Sequence, residues 1–299
     1  MATLVPGTVR VTVPATSANL GPGFDSLGLA LSLRDSLEAE VTEGGLRVEV
    51  SGAGADDLPR DESHLVVRSM RAAFAAMGAD PAGLALRCAN VIPHGRGLGS
   101  SSAAIVAGLS LARALVAGGQ LLLDDEALFR LAADIEGHPD NVAPAFYGGF
   151  VISGREDEQW FAVPTGVDPR VAAVVFVPPT PLETKFARGL LPAVVPHADA
   201  AANSGRTALL VAALAGRPEH LLAATRDYLH QDQREPAMPE SLTLMHSLRA
   251  DGIPAVISGA GPTVLAFSSR RDTELVARTP AGWVCHELDV EAAGVLVGA

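Results

Sequence analysis

Between Val91 and Ala103 the chain reads VIPHGRGLGSSSA, three glycines and three serines at the junction of a strand-like run and a helix-like run. Gly95, Gly97 and Gly99 let a bulky anion approach the main chain closely. The apolar run Ala103 to Ala117 reads as a helix, with Gly118 and Gly119 as its stop. The amides near Ser100 and Ser101 then lie at a helix start, where N–H groups lack intrahelical acceptors and the peptide dipoles turn their positive end outward. That is a place for phosphate. A serine cap alone needs less than three serines beside three glycines. The lysine-bearing phosphate loop is excluded, because no Gly-Lys-Ser/Thr follows, and the dinucleotide fingerprint lacks its acidic residue at the end of a second strand.

Such a cradle needs elements to hold it. Val9 to Val13 alternates as a strand ended by Pro14, and Ala15 to Leu31 reads as a structured loop. Leu37–Val41 and Leu46–Val50 flank Gly44 and Gly45 as a hairpin would. A helix is expected over Ser63–Met77, opened by Asp61 or Ser63, then a strand over Leu84–Val91 that feeds the cradle. Asp124 to Glu136 is a helix capped by Asp124 and stopped by Gly137. A polar stretch at Gly154–Pro164 marks a boundary, giving domains 1–155 and 156–299. Beyond it come a strand (Val171–Val177), helices near 200–214, 219–230 and 240–250, a strand–glycine loop–strand unit (Ala255–Ser268), a helix at 272–278 and a strand at 283–288. Strands and helices mix without a regular repeat, so the class is α+β.

Composition narrows the function. The 299 residues are 48% hydrophobic and carry a formal charge of -12 at pH 7. That excludes nonspecific binding to nucleic acid or an anionic membrane. An anionic ligand must be gripped locally, by glycine amides, a metal ion or a few placed arginines. Lys185 is the only lysine, so a mechanism that needs one has a single choice. Cys88 and Cys285 lie far apart in apolar stretches and read as buried free thiols. No leader and no membrane-length apolar run is evident, so a reducing cytoplasm is the expected compartment.

The segment Pro93 to Ala103 matches Pro-x-x-x-Gly-Leu-Gly-Ser-Ser-x-Ala throughout, the central motif of the GHMP kinases, which it resembles. PATSANLGPGFDSLGLAL (Pro14–Leu31) resembles the N-terminal motif of that family in its homoserine kinase form, and SGAGPTVLAF (Ser258–Phe267) its third glycine motif, which lies against the phosphate loop. Three ordered motifs spanning the chain imply the two-domain GHMP kinase fold: an N-terminal lobe like domain 2 of ribosomal protein S5 and a C-terminal ferredoxin-like lobe. They also imply ATP and L-homoserine as partners, Mg2+ as cofactor, a place in threonine biosynthesis and a homodimer.

The resemblance assigns residues as well. ATP would lie on Pro93, His94, Gly95, Arg96, Gly97, Leu98, Gly99, Ser100, Ser101, Ser102, Ala103, Gly259 and Gly261. Mg2+ would take Ser100 and a glutamate, Glu136, with Asp134 as fallback. Asn19 and Asp25 in SANLGPGFD would contact substrate, Asp25 pairing its ammonium, and His138 in EGHPDNVAPAFYGG would reach it too. Arg188 and Arg234 would clamp its carboxylate, although the Pro-Tyr that often precedes the second arginine is Asp232-Gln233 here. Asn141, Thr184 and Arg188 would stand at the reacting centre. Where mevalonate kinase and galactokinase resemble each other in using an aspartate base, this chain has Asn141, and an amide takes no proton; catalysis without a strong protein base is the expectation. Rival readings are another small-alcohol kinase of the same family, a non-catalytic sensor that keeps the fold, and an unrelated protein with an accidental glycine loop. Each residue also has a plainer use, as turn, loop or solvated surface group, so geometry must decide.

Overall fold

The structure, a computed structural model, describes residues 2–268 and 272–298. Its strands are β1 Val9–Ala18, β2 Leu27–Thr42, β3 Gly45–Gly52, β4 Gly83–Asn90, β5 Phe150–Glu156, β6 Gln159–Thr165, β7 Ala172–Val177, β8 Ala255–Ile257, β9 Val264–Ser268, β10 Val284–Asp289 and β11 Leu296–Gly298. Its α-helices are α1 Leu65–Ala76, α2 Ser100–Ala114, α3 Gly119–Leu122, α4 Asp125–Glu136, α5 Val142–Tyr147, α6 Thr184–Gly189, α7 His197–Gly216, α8 Leu221–Ala224, α9 Pro239–Ala250 and α10 Thr273–Val276.

The first sheet runs β11-β1-β2-β4-β3, with β5 on β2 and β6 on β5. Helix α2 packs on β1 between α1 and α4. Its buried residues, among them Ile105, Val106, Leu109 and Leu111, go nearly all the way round, which is why it takes the centre of the helical layer. The second sheet has the order β10-β7-β9-β8, antiparallel throughout. Counted within this lobe that is 4-1-3-2, the ferredoxin-like order expected. The larger apolar core includes Leu109 and Phe150 of the first lobe and Val175, Leu265 and Leu288 of the second, so one packed interior joins the two lobes. No helix among the described residues is long and apolar enough to cross a membrane.

Several expectations are corrected. Strand β1 continues past Pro14 to Ala18 through a register shift at Pro14/Ala15, where a residue without an N–H is tolerated. Leu37–Val41 and Leu46–Val50 do not pair: β4 lies between them, antiparallel to β2 and parallel to β3. β4 buries Leu84, Ala85, Leu86 and Cys88, whereas β3 buries Val48 alone, so the more apolar strand takes the interior and the polar one the edge. The helix expected at 219–230 stops at Ala224, because Asp227 takes the amides of Leu229, His230 and Gln231 on its carboxylate. The division at 155/156 cuts through β5; the first sheet runs on to Thr165 through the β5–β6 hairpin and takes back β11. Asp61 holds Ser63 just ahead of α1 rather than capping the helix itself. Cys88 is buried, its thiol pushed up to about 12 by burial, but Cys285 is only half-buried.

Candidate active site

The phosphate loop is anchored before it begins. As the chain leaves β4, buried Asp35 of β2 accepts from the amides of Val91 (2.6 Å) and Ile92 (2.9 Å). Burial pushes the Asp35 carboxyl up to about 6, against the pull of those two amides. Further along, Ser258 of the third glycine motif donates to the Gly97 carbonyl at 2.5 Å and lies 2.8 Å from the Ser17 hydroxyl. A Cβ on Gly97 would stand 2.3 Å from the Ser258 carbonyl oxygen. Gly99 caps α2 in a left-handed conformation, φ 69°, and a Cβ there would stand 1.9 Å from Thr16 Oγ1. That hydroxyl donates to Asn141 Oδ1 at 2.8 Å. Because Gly99 turns the chain, the helix starts at Ser100, three residues ahead of the expected start, and all three serines fall in its first turn. The expected contact between the two glycine motifs is present.

A cavity of about 430 Å³ opens over this turn. At one end are Gly95, Gly97, Gly99, Ser100 and Ser101; at the other Asn19, Asp25, His138, Arg188 and Arg234, with Gly259, whose carbonyl accepts from Asn19 and Arg234; Asn141, Thr184 and Glu136 also line it. The far end is a charged cluster around one ring. Arg188 forms a two-pronged ion pair with Asp25, both contacts 2.8 Å, which raises the guanidinium above its usual range. Phe24 packs beneath Arg188 (5.4 Å) and Arg234 (5.6 Å) and beside the His230 ring (5.0 Å). Arg234 is only 1% exposed. It donates to the Gly259 carbonyl at 3.1 Å and lies 3.1 Å from His230 Nδ1, while its Nε has no partner among the described residues. Burial, then the charge of Arg188, bring it down to about 10. Asn19 spans the loop, donating to Gly259 O and accepting from Asp25 N, both at 2.9 Å. His138 Nδ1 lies 2.8 Å from Asp140, which is 3% exposed. Burial works against a charged ring, but the Asp140 hydrogen bond and charge outweigh it, and His138 sits above the usual imidazole value.

Not all expected residues meet here. Leu98, Ser102 and Ala103 are buried beneath the turn, and Pro93, His94 and Gly261 do not line the cavity. Arg96 spends its guanidinium on the carbonyls of His94 (2.8 Å), Pro178 (2.9 Å) and Pro179, tying the loop to the second lobe. Glu136 accepts from Ser101 (2.6 Å) and Ser102 (3.0 Å) through one oxygen, with Ser100 the next residue along. The fallback Asp134 is taken by the Trp160 indole at 2.7 Å, away from the cavity. No group of three or more His, Cys, Asp or Glu able to hold a metal occurs among the described residues. A serine hydroxyl and one carboxylate at a phosphate cradle nevertheless suit Mg2+, which takes few protein ligands and completes its shell with phosphate and water.

Sequence reasoning missed Phe24, Thr16 and His64. The first two have no spacing signal: one is a ring under two guanidiniums, the other a hydroxyl below a glycine. His64, 4% exposed and with no hydrogen-bond partner for either ring nitrogen among the described residues, lines a second cavity of about 170 Å³ with Leu37, Leu58, Leu65, Val66 and Asn90. That cavity touches the back of the same turn at Ser100 and Ser101.

Two lobes meeting over a glycine-loop turn, with a charged cluster lining the same cavity, define a kinase of small molecules. The family model described as GHMP kinases N terminal domain matches residues 64–149, and GHMP kinases C terminal matches 209–279. The chain is 57% identical to homoserine kinase of Streptomyces avermitilis over 290 residues, 97% of this chain and 95% of that one. A crystal structure of homoserine kinase from Cytophaga hutchinsonii superposes with a TM-score of 0.82 at 26% identity, covering 100% and 99% of the two chains. The L. major mevalonate kinase in complex with R-mevalonate shares the fold, with a TM-score of 0.71 at 17% identity over 98% and 100%. The chain belongs to the GHMP kinase family and, within it, to the homoserine kinases.

Proposed function

We propose that this enzyme transfers the γ-phosphoryl group of ATP to the side-chain hydroxyl of L-homoserine, giving O-phospho-L-homoserine. One observation carries the reading: the Ser100–Ser101 turn and the Asp25–Arg188–Arg234 cluster line the same cavity, so a phosphate and an amino acid fit side by side. The transition state of such a transfer is loose, and positioning with charge neutralisation does most of the work. The amides of the glycine loop and the first turn of α2 receive the phosphates. The small apolar cavity behind that turn takes the adenine, and His64 supplies ring nitrogens to read its edge. Ser100 and Glu136 hold Mg2+, which when bound neutralises phosphate charge.

At the other end the unpartnered Nε of Arg234, with Arg188, receives the substrate carboxylate. Asp25, held by Arg188, offers the ammonium an anion, and His138, held by Asp140, orients the chain between them. Thr184 and Asn141 face the reacting atoms. The Asn141 amide oxygen accepts from Thr16, so this residue is a fixed dipole and not a base. The hydroxyl proton passes to phosphate or solvent. We take the two lobes as the working domains, and the form in the cell as a cytoplasmic homodimer, which sedimentation of the purified chain checks.

The deciding experiment is ADP release with Mg·ATP across L-homoserine, L-serine, L-threonine and mevalonate. Turnover should be fastest with homoserine. Equal or faster turnover of mevalonate, which carries no ammonium for Asp25, overturns the substrate assignment.

A further inference from the structure

Lys185, the chain's one lysine, lines the cavity beside the phosphate loop. It belongs to α6, and α6 is tied down on both sides. Upstream, the Leu182 amide donates to the Gly95 carbonyl at 2.8 Å, and a Cβ on Gly95 would lie 3.2 Å from Pro181 Cβ, so this end sits on the phosphate loop. Downstream, Arg188 is locked to Asp25. Residues 185 and 188 are one helical turn apart and share a face. The helix thus lays Arg188 over the amino-acid end of the cavity while Lys185 lies toward the Gly95 end.

Charge then picks out a role. Asp25, Glu136, Asp140 and Glu183 line the cavity, against Lys185, Arg188 and Arg234. Arg188 already pairs with Asp25 and Arg234 bonds Gly259 and His230, and what these two have left faces the amino-acid end. Among the described residues Lys185 is the lysine or arginine of this cavity with no ion pair or hydrogen bond. A triphosphate entering a cavity of a chain with charge -12 brings several more negative charges. Glycine amides offer only dipoles, and Arg96 is spent on carbonyls. An ammonium is a compact charge with three rotatable donors on a flexible stem, suited to phosphate oxygens.

We propose that Lys185 is a catalytic residue, its ε-ammonium meeting the β- and γ-phosphate oxygens of ATP from the α6 side of the cavity. This role rests on ATP being the phosphoryl donor. Charge gathers on those oxygens as the phosphoryl group leaves ADP, so the ammonium stabilises the transition state more than the bound nucleotide.

Two measurements test it. In the first, Lys185→Met and Lys185→Arg are compared with the wild type in steady state, varying Mg·ATP and homoserine separately, with melting curves to show that each variant folds. Lys185→Met should lower kcat/KM for ATP roughly 100-fold, as loss of one transition-state donor does. KM for homoserine should stay within about twofold, and Lys185→Arg should recover part of the loss. In the second, adenosine triphosphopyridoxal, whose aldehyde sits at the end of the polyphosphate, should with borohydride label wild-type Lys185, Mg·ATP should protect it, and peptide mass spectrometry tells an adduct on the one lysine from one on the N-terminal amine. Retention of kcat/KM for ATP in Lys185→Met, or labelling at Lys185 that ATP does not block, overturns the proposal. If the wild type turns over homoserine while the variant is unimpaired, only the role of Lys185 falls. If the wild type does not turn over homoserine, the substrate reading falls and the labelling arm alone decides whether Lys185 meets ATP.

Discussion

The two ends of the cavity are built on different principles. The phosphate end is backbone: a glycine loop, a left-handed cap and a helix start, contiguous in sequence from Gly95 to Ser101. The amino-acid end is side chains gathered from distant places, with Phe24 and Asp25 from the first lobe and Arg188, His230 and Arg234 from the second. Main-chain amides recognise any phosphate, so that end fixes the reaction class. Crossed guanidiniums and a carboxylate recognise one arrangement of charges, so that end fixes the substrate. Damage to one end should therefore show in the KM of one substrate and not the other.

The largest effect is expected at the amino-acid end. Arg234→Ala removes a buried cation from a carboxylate site, a loss of about 3 kcal/mol or more. kcat/KM for homoserine should fall roughly 100-fold or further, with KM for ATP little changed; equal damage to both constants would show that the two ends are not separate. At the phosphate end, Gly99→Ala forces a Cβ into Thr16 Oγ1 at positive φ, with a strain of about 1–2 kcal/mol. Here KM for ATP should rise about tenfold or more while KM for homoserine holds, and isothermal titration with Mg·ATP checks it. Asp140→Asn sharpens the boundary between the ends. With no protein base in the reaction, kcat should stay within about tenfold and KM for homoserine should rise as His138 loses its anion. A fall in kcat of several orders of magnitude in a folded variant would make Asp140 part of the chemistry.

The effect on catalysis is smallest at Asp35, below the phosphate loop, where the change falls on stability instead. The Asp35 carboxyl is raised from 3.8 to about 6 in the fold, so the native state holds its proton more tightly than the unfolded chain. Its contribution is fully present below pH 4 or so and is lost as pH rises through about 6, a swing of about 3 kcal/mol. Asp35→Asn keeps an acceptor for Val91 and Ile92 without a charge. The variant should lose this component of the pH dependence of unfolding between about pH 4 and 7, and urea titrations at both ends of that range measure it.

What the sequence reveals follows the same division. Helix α4 is legible residue by residue, because its cap, Asp124 on the Ala127 amide, and its stop, Gly137 at positive φ, are local events. The glycine turn is legible for the same reason. Strand order is not: β4 enters between β2 and β3 because of burial across the whole sheet, which no alternation of residues records. The domain boundary misled because a polar hairpin tip looks like a linker until its partner strand is known. In the site, Asp25, Arg188 and Arg234 could be named from motifs, but Phe24, which organises them, could not, since an aromatic after glycine has many uses. The role of the Arg96 side chain is not legible either. Its guanidinium fastens the loop to carbonyls of the other lobe, a contact between distant segments that no local spacing records.

The strand Leu296–Gly298 lies against Arg10–Thr12, so the last described residues complete the sheet that the first ones begin. That sheet carries Thr16 and Ser17, the two hydroxyls under the nucleotide turn. During synthesis the outer edge of β1 therefore stays uncovered until residues 296–298 have been made. Chains released early should be aggregation-prone rather than partly active.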